Sequence, residues 1–247
     1  MPFSAKDLED ASFDEVRFVI PEFVPEGVTL LSGSPKVGKS WMALGMCIGV
    51  ATGGVFLSQS CNRGRVLYLA LEDNPRRIQS RLRMAMGGEH FPPDLDFDCT
   101  WDRFPVGLKQ LDKLLEVERY SLVVIDTLEM VRPPRRANPY EDDYRAIAGI
   151  REIAYKHRCA VVVVHHNRKS STTSTGEEID PIERVSGTMG LTGAVDAIHV
   201  LSRLRGGSLG ELHITGKDLE EQTMVCKLDT YLGLWYIYEK GQEVILR

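Results

Sequence analysis

The octapeptide Gly33-Ser34-Pro35-Lys36-Val37-Gly38-Lys39-Ser40 constrains this chain more than any other feature. Its spacing is G-x-x-x-x-G-K-[ST], with a strand-like run at residues 28–32 before it and a helix-compatible run at residues 41–51 after it. A strand that turns sharply into a helix aims successive backbone N–H groups and the helix N-terminus at one point, and that point suits a phosphate chain. Gly33 and Gly38 permit the backbone to come close. Lys39 is expected to reach the β- and γ-phosphates of ATP, and the Ser40 hydroxyl to coordinate Mg²⁺. The whole stretch from Gly33 through Trp41 is therefore expected to line a nucleotide.

Composition supports a single large domain: 43% of the 247 residues are hydrophobic, enough to bury a substantial core. Residues 1–15 are polar and acidic, and no run of eighteen apolar residues occurs, so neither a signal peptide nor a membrane span is expected. The reading is a cytoplasmic protein. The five cysteines, at 47, 61, 99, 159 and 226, contain no C-x-x-C pair and imply buried thiols rather than a zinc site or a disulfide framework. A net charge of −5 argues against a broad basic face for nucleic acid, but leaves room for a few basic loops gathered around the axis of a ring.

After the phosphate loop, strand and helix signals alternate. Strands are expected at residues 65–71, 95–98, 122–125 and 160–164, and helices at 75–86, 108–117 and 144–155. This pattern is α/β, with a mostly parallel central sheet. Residues 197–201, 211–215, 224–228 and 234–238 then read as short strands without helices between them, a C-terminal antiparallel extension of the same sheet. Residues 1–16 and 170–179 have little to bury and are expected to be loose.

Three of the parallel strands end in groups suited to phosphate chemistry. Asp126 closes the run Leu122-Val123-Val124-Ile125, where a carboxylate can hold a metal-bound water beside Ser40, or can cap the following turn. Glu72 closes another strand and is the expected base for the attacking water, while Asp73 is expected to cap the helix that starts near Pro75. The reading in which both carboxylates merely cap stays open. His165 and His166 leave a third strand on opposite faces, so only one of them can face the nucleotide.

The ordered series G-S-P-K-V-G-K-S, L-Y-L-A-L-E-D-N-P, L-V-V-I-D-T, V-V-V-V-H-H-N-R-K and S-G-T-M-G-L-T-G-A-V-D-A-I-H-V-L resembles the RepA-like branch of the RecA and DnaB ATPases. The resemblance runs from about Phe18 to Asp229 and implies an N-terminal arm or linker over residues 1–17 and a RecA-like ATPase domain over 18–247. It places the phosphate-loop lysine and serine on Lys39 and Ser40, the catalytic glutamate on Glu72, the metal aspartate on Asp126 and the histidine sensor on His166. Arg81 falls where relatives set an arginine against adenine, though a solvated helix face is the equal alternative.

The resemblance also implies a homohexameric ring around single-stranded DNA, with replication-initiator or primase partners. Such rings complete each site with a cation from the next subunit. The expected finger position falls near His199, a poor substitute for an always-charged guanidinium. Arg203, Arg205 or Lys217 are the replacements, and Lys217 is the one preferred. DNA contact is expected from Arg168 and Lys169 in the loop after the sensor strand, or that loop is plain surface.

Together these features point to an ATP-hydrolysing ring motor on single-stranded DNA, a replicative-type helicase or translocase of a plasmid, phage or mobile element. A non-unwinding regulatory or recombination-mediator ATPase is the alternative. A small-molecule kinase fits the strand ends and the antiparallel tail poorly.

Overall fold

Residues Gly27–Gly33 are buried at every position, and the strand they form lies inside a sheet covered on both faces. The computed structural model describes residues 3–133, 139–166, 180, 182, 185, 189–204 and 206–238. In chain order the elements are α1 (Ala5–Glu9), β1 (Phe18–Ile20), β2 (Val24–Pro25), β3 (Gly27–Gly33), α2 (Lys39–Thr52), β4 (Val55–Phe56), β5 (Gln59–Ser60), β6 (Val66–Ala70), α3 (Pro75–Met86), β7 (Leu95–Asp98), α4 (Val106–Val117), β8 (Leu122–Asp126), α5 (Leu128–Val131), α6 (Pro139–His157), β9 (Ala160–His166), α7 (Met189–Thr192), β10 (Ala197–Arg203), β11 (Leu209–Gly216), β12 (Leu219–Leu228) and β13 (Trp235–Ile237).

Nine strands form one mixed sheet in the order β13-β12-β11-β10-β3-β9-β8-β6-β7. The pairings from β10 through β7 are parallel, and those from β10 outward to β13 are antiparallel. Strand periodicity sorts the side chains into two cores. Leu31, Tyr68, Val124, Val162 and Val164 pack with Met42, Met46 and Val50 of α2 and Ile78 and Leu82 of α3. Leu30, Leu69, Val123, Ile125 and Val163 pack on the other face with Leu111 and Leu115 of α4 and Ile147 and Ile150 of α6.

Register brings the functional ends level. Ala70 pairs with Asp126, Asp126 with Val164, and His166 with Gly33, so the residues following β3, β6, β8 and β9 emerge along one edge. This is the carboxyl edge, where open α/β sheets bind ligands.

Two local features depart from the sequence reading. The arm holds a short helix, α1, because Ser4 and Asp7 cap it reciprocally, although none of its residues is buried. Asn74, not Asp73, is the N-cap of α3: its side chain accepts from the Arg77 N–H at 3.0 Å, with Pro75 in the first turn. The stretch 170–179, the basic pair Arg168 and Lys169, and Arg205 lie outside the described residues. Among the described residues no helix is long and apolar enough to cross a membrane.

Candidate nucleotide site

The loop between β3 and α2 is built around Gly38, whose φ of 110° suits glycine alone and whose carbonyl accepts from the Trp235 indole N–H at 3.1 Å. A Cβ at Gly38 would stand 2.8 Å from the Trp235 ring. Ser34, Pro35 and Lys36 are exposed at the rim, whereas the Val37 side chain turns into the core, so Val37 has only its backbone to offer a ligand. The Trp41 ring lies under Gly233 and carries the Arg81 guanidinium 5.3 Å from its centroid.

Lys39 is buried inside this loop. Its ammonium donates to the Gly33 carbonyl at 2.8 Å, the Ser34 carbonyl at 3.0 Å and Nδ1 of His166 at 3.0 Å. Burial brings its pKa down to about 8, against the opposing pull of Asp126 and Glu72. Because Nδ1 of His166 accepts this bond, Nε2 carries the proton, and it stands 3.9 Å from Oε1 of Glu72. Burial, and then the neighbouring Lys39 charge, hold His166 below the ordinary imidazole range.

Asp126 is nearly enclosed, and burial raises its carboxyl pKa against the hydrogen bonds from Tyr68 and Ser40. The Tyr68 hydroxyl donates to Oδ2 of Asp126 at 2.7 Å, and the Thr127 hydroxyl donates to Oε1 of Glu72 at 2.7 Å. A serine hydroxyl beside a buried carboxylate is a hard-oxygen pair of the kind Mg²⁺ takes. Among the described residues no group of three or more His, Cys, Asp or Glu is placed to hold a metal, so an ion there would draw its other ligands from phosphate and water.

A cavity of about 350 Å³ opens beside these groups, lined by Ser40, Tyr68, Glu72, Asp73, Arg81 and Asp126 among others. Asp73 forms part of its wall: it accepts from Nε of Arg77 at 2.7 Å and from Nη1 of Arg81 at 2.5 Å. Arg81 is thus partly exposed but held between a carboxylate and an indole. A larger recess of about 1150 Å³ lies at the opposite edge of the sheet, where Asp14 of the arm meets Arg158 at 2.6 Å, and holds none of the strand-end groups.

The structure therefore brings Lys39, Ser40, Glu72, Asp126 and His166 together, and sends His165 to the other face, where burial and the Arg132 charge pull its pKa down to about 3. Three other expectations sit elsewhere. His199 is fully buried, with Nε2 donating to the Phe23 carbonyl at 3.0 Å, so the position cannot face a neighbouring subunit. Arg203 stacks over Trp235 and donates to the Lys36 carbonyl of its own loop at 3.2 Å. Lys217 lies at the far edge of the sheet, paired with buried Asp196 at 2.8 Å.

The sequence reading missed Tyr68, Thr127 and Trp235. The first two had a signal, since Tyr68 shares the strand face of Glu72 and Thr127 follows Asp126; Trp235 had none, being 197 positions from the carbonyl it holds.

A family model described as "AAA domain" matches residues 1–172, more than half of the chain. The chain belongs to the AAA domain family. No match was found among curated proteins. Among solved structures, this AAA domain is similar to one described as an ATPase domain, with a TM-score of 0.70 and 13% identity over 95% of each chain. It is similar to a DnaB-like replicative helicase, whose structure was described with its interactions with primase, at a TM-score of 0.66 and 14% identity over 94% of this chain and 65% of that one. It is also similar to the RadB recombinase, at 0.59 and 18% over 88% and 93%. These likenesses establish the RecA-like ATPase fold expected from the sequence, with its large, mostly parallel sheet and antiparallel C-terminal strands.

Proposed function

We propose that this chain is an ATP-hydrolysing ring motor on single-stranded DNA, of the replicative helicase or translocase type found in plasmids, phages and mobile elements. The observation that carries the reading is the convergence of Lys39, Ser40, Glu72, Asp126 and His166 at one sheet edge. In this reading Lys39 and the backbone of residues 33–41 hold the phosphates of ATP, and Asp73 fixes Arg81 beside the Trp41 ring, where a purine can stack. Ser40 and Asp126 would hold Mg²⁺, which supplies charge neutralisation on the phosphates when bound.

Glu72 orients a water and takes its proton on its carboxylate as the water oxygen bonds to the γ-phosphorus and the bond to the β,γ-bridging oxygen breaks. His166, joined to Lys39 by one ring nitrogen and facing Glu72 with the other, registers the loss of the γ-phosphate. It is the last residue of β9, and Arg168 and Lys169 follow at once, so a change at the phosphate reaches the proposed DNA contact within two residues.

Closure of the ring, with six copies as the expected number, would bring a cation from the next subunit. Lys217 is proposed for that role, since it is about half exposed and lies away from its own phosphate loop, where it pairs with Asp196. ATPase activity that rises with protein concentration and disappears in Lys217→Ala supports the assignment. Unfolding curves are needed beside it, because the same change removes a partner of Asp196. Initiator or primase partners and a cytoplasmic setting belong to the same proposal.

The likeness to the RadB recombinase favours a second reading, a regulatory or recombination-mediator ATPase that binds DNA according to nucleotide state without unwinding it. Turnover with and without single-stranded DNA, a mass measurement, and strand separation on a forked duplex decide between them. DNA-stimulated turnover and unwinding by a six-subunit species support the motor. Nucleotide-dependent DNA binding without unwinding supports the mediator.

A further inference from the structure

The neighbouring strands β6 and β8 each supply one carboxylate to the site and one hydroxyl to the other strand's carboxylate. Tyr68 of β6 donates to Asp126 of β8, and Thr127, just past β8, donates to Glu72, just past β6. Main-chain bonding ties the same two ends, since the Leu71 N–H donates to the Asp126 carbonyl at 2.8 Å.

Neither hydroxyl is needed for packing. The Tyr68 ring lies 5.5 Å from that of Phe97 inside the core, where phenylalanine would fill the same volume. Thr127 is only 2% exposed, and valine has its shape. A buried hydroxyl loses its hydration and has to recover a partner. Here the short bond from each hydroxyl goes to a carboxylate assigned to the phosphate chemistry, and the Tyr68 hydroxyl also stands 3.5 Å from the Ser40 carbonyl.

We infer that Tyr68 and Thr127 are positioning residues that form a reciprocal clamp, Tyr68 orienting Asp126 and Thr127 orienting Glu72. The inference rests on the proposed roles of those two carboxylates. The Tyr68 bond engages Oδ2 of Asp126 and would leave Oδ1 available to a cation held with Ser40. The Thr127 bond fixes the direction from which Glu72 meets the water. Because the two bonds run in opposite senses between the same strands, they resist separation of the metal ligand from the base. The two hydroxyls act on different quantities, the first on cation affinity and the second on the rate of the chemical step.

Tyr68→Phe, Thr127→Val, Thr127→Ser and Glu72→Gln test this in the full chain, each checked by thermal unfolding. Mn²⁺ affinity is read by electron paramagnetic resonance with a non-hydrolysable ATP analogue bound, and single-turnover hydrolysis is read at saturating ATP and Mg²⁺. Tyr68→Phe is expected to weaken Mn²⁺ about tenfold, as loss of an outer-shell partner does, with the saturated rate within about twofold of the parent. Thr127→Val is expected to slow the saturated rate on the order of 10- to 100-fold, with nucleotide and Mn²⁺ affinity unchanged, and Thr127→Ser to restore it.

A packing role predicts the reverse order, with valine tolerated and serine impaired, and that order overturns the clamp. So does parental Mn²⁺ affinity in Tyr68→Phe, or parental turnover in Thr127→Val when Glu72→Gln is inactive. If Glu72→Gln itself turns over normally, the assignment of the base falls and takes the role of Thr127 with it. The Mn²⁺ measurement still judges Tyr68 separately.

Discussion

The ammonium of Lys39 stands 3.0 Å from Nδ1 of His166, and its charge adds to burial in keeping that imidazole neutral. Lys39 is buried and brought down to about 8, while burial and the lysine charge keep His166 neutral and accepting. Bound phosphate would restore a high pKa to Lys39, because negative charge at contact favours the ammonium.

A pH dependence of nucleotide affinity follows with a definite sign. Below pH 8 Lys39 is charged with or without nucleotide, and affinity is flat. Above it, the free protein loses the proton that the complex retains, so affinity falls, approaching about tenfold per pH unit. Titrations of an ATP analogue at about pH 7, 8 and 9 should weaken progressively in the parent and stay level in Lys39→Arg, whose charge persists throughout. A level parent profile would show that the ammonium is not what meets the phosphate.

Replacing Glu72 separates binding from chemistry. Glu72→Gln keeps the shape and the acceptor for Thr127 but cannot take a proton, so hydrolysis should drop by roughly 10²- to 10⁴-fold, with nucleotide affinity close to the parent's. Parallel measurement of steady-state turnover and analogue binding checks this. Turnover within a few-fold of the parent would move the base elsewhere.

The phosphate loop is also held from the C-terminal extension. Trp235 Nε1 donates to the Gly38 carbonyl at 3.1 Å, and Arg203, stacked on the same indole, donates to the Lys36 carbonyl at 3.2 Å. Trp235→Phe keeps an aromatic ring but loses the indole N–H and part of the ring's volume, which should weaken nucleotide about 2- to 10-fold without unfolding the chain. Gly38→Ala should abolish binding, since its Cβ meets the indole at 2.8 Å where φ is already 110°. Calorimetric titration beside thermal unfolding tells these apart; equal affinities for parent and Trp235→Phe would show that the brace is incidental.

Legibility in the sequence followed how local each cause is. The phosphate loop, the parallel strands and the placement of Glu72, Asp126 and His166 at strand ends could all be read, because strand period and an abrupt polar residue after an apolar run are properties of neighbouring residues. Asp73 was misread as a cap, since Asp and Asn compete for that role at adjacent positions and the choice depends on where Arg77 and Arg81 turn. The brace from Trp235 and the burial of His199 depend on β10 pairing in parallel with β3 and on β11 to β13 extending the sheet from β10, and no short-range pattern carries that information.

His199 provides a stability prediction free of any functional reading. It is fully buried beside Phe23, and burial lowers its pKa to about 4, against 6.5 for an ordinary imidazole. Between those values the unfolded chain binds a proton that the folded chain does not, so stability present above about pH 6.5 is lost as pH falls, by about 1.4 kcal/mol per pH unit at most for one such histidine. His165, lowered to about 3, adds a loss of the same sign over the same window. His199→Gln keeps a donor for the Phe23 carbonyl and removes the titration, so the drop in urea midpoint between about pH 7 and pH 5 should shrink in the variant without vanishing. If parent and variant lose the same stability over that interval, the folded protein must admit a proton at His199, and the enclosed cluster around Phe23 must open in acid before the chain unfolds.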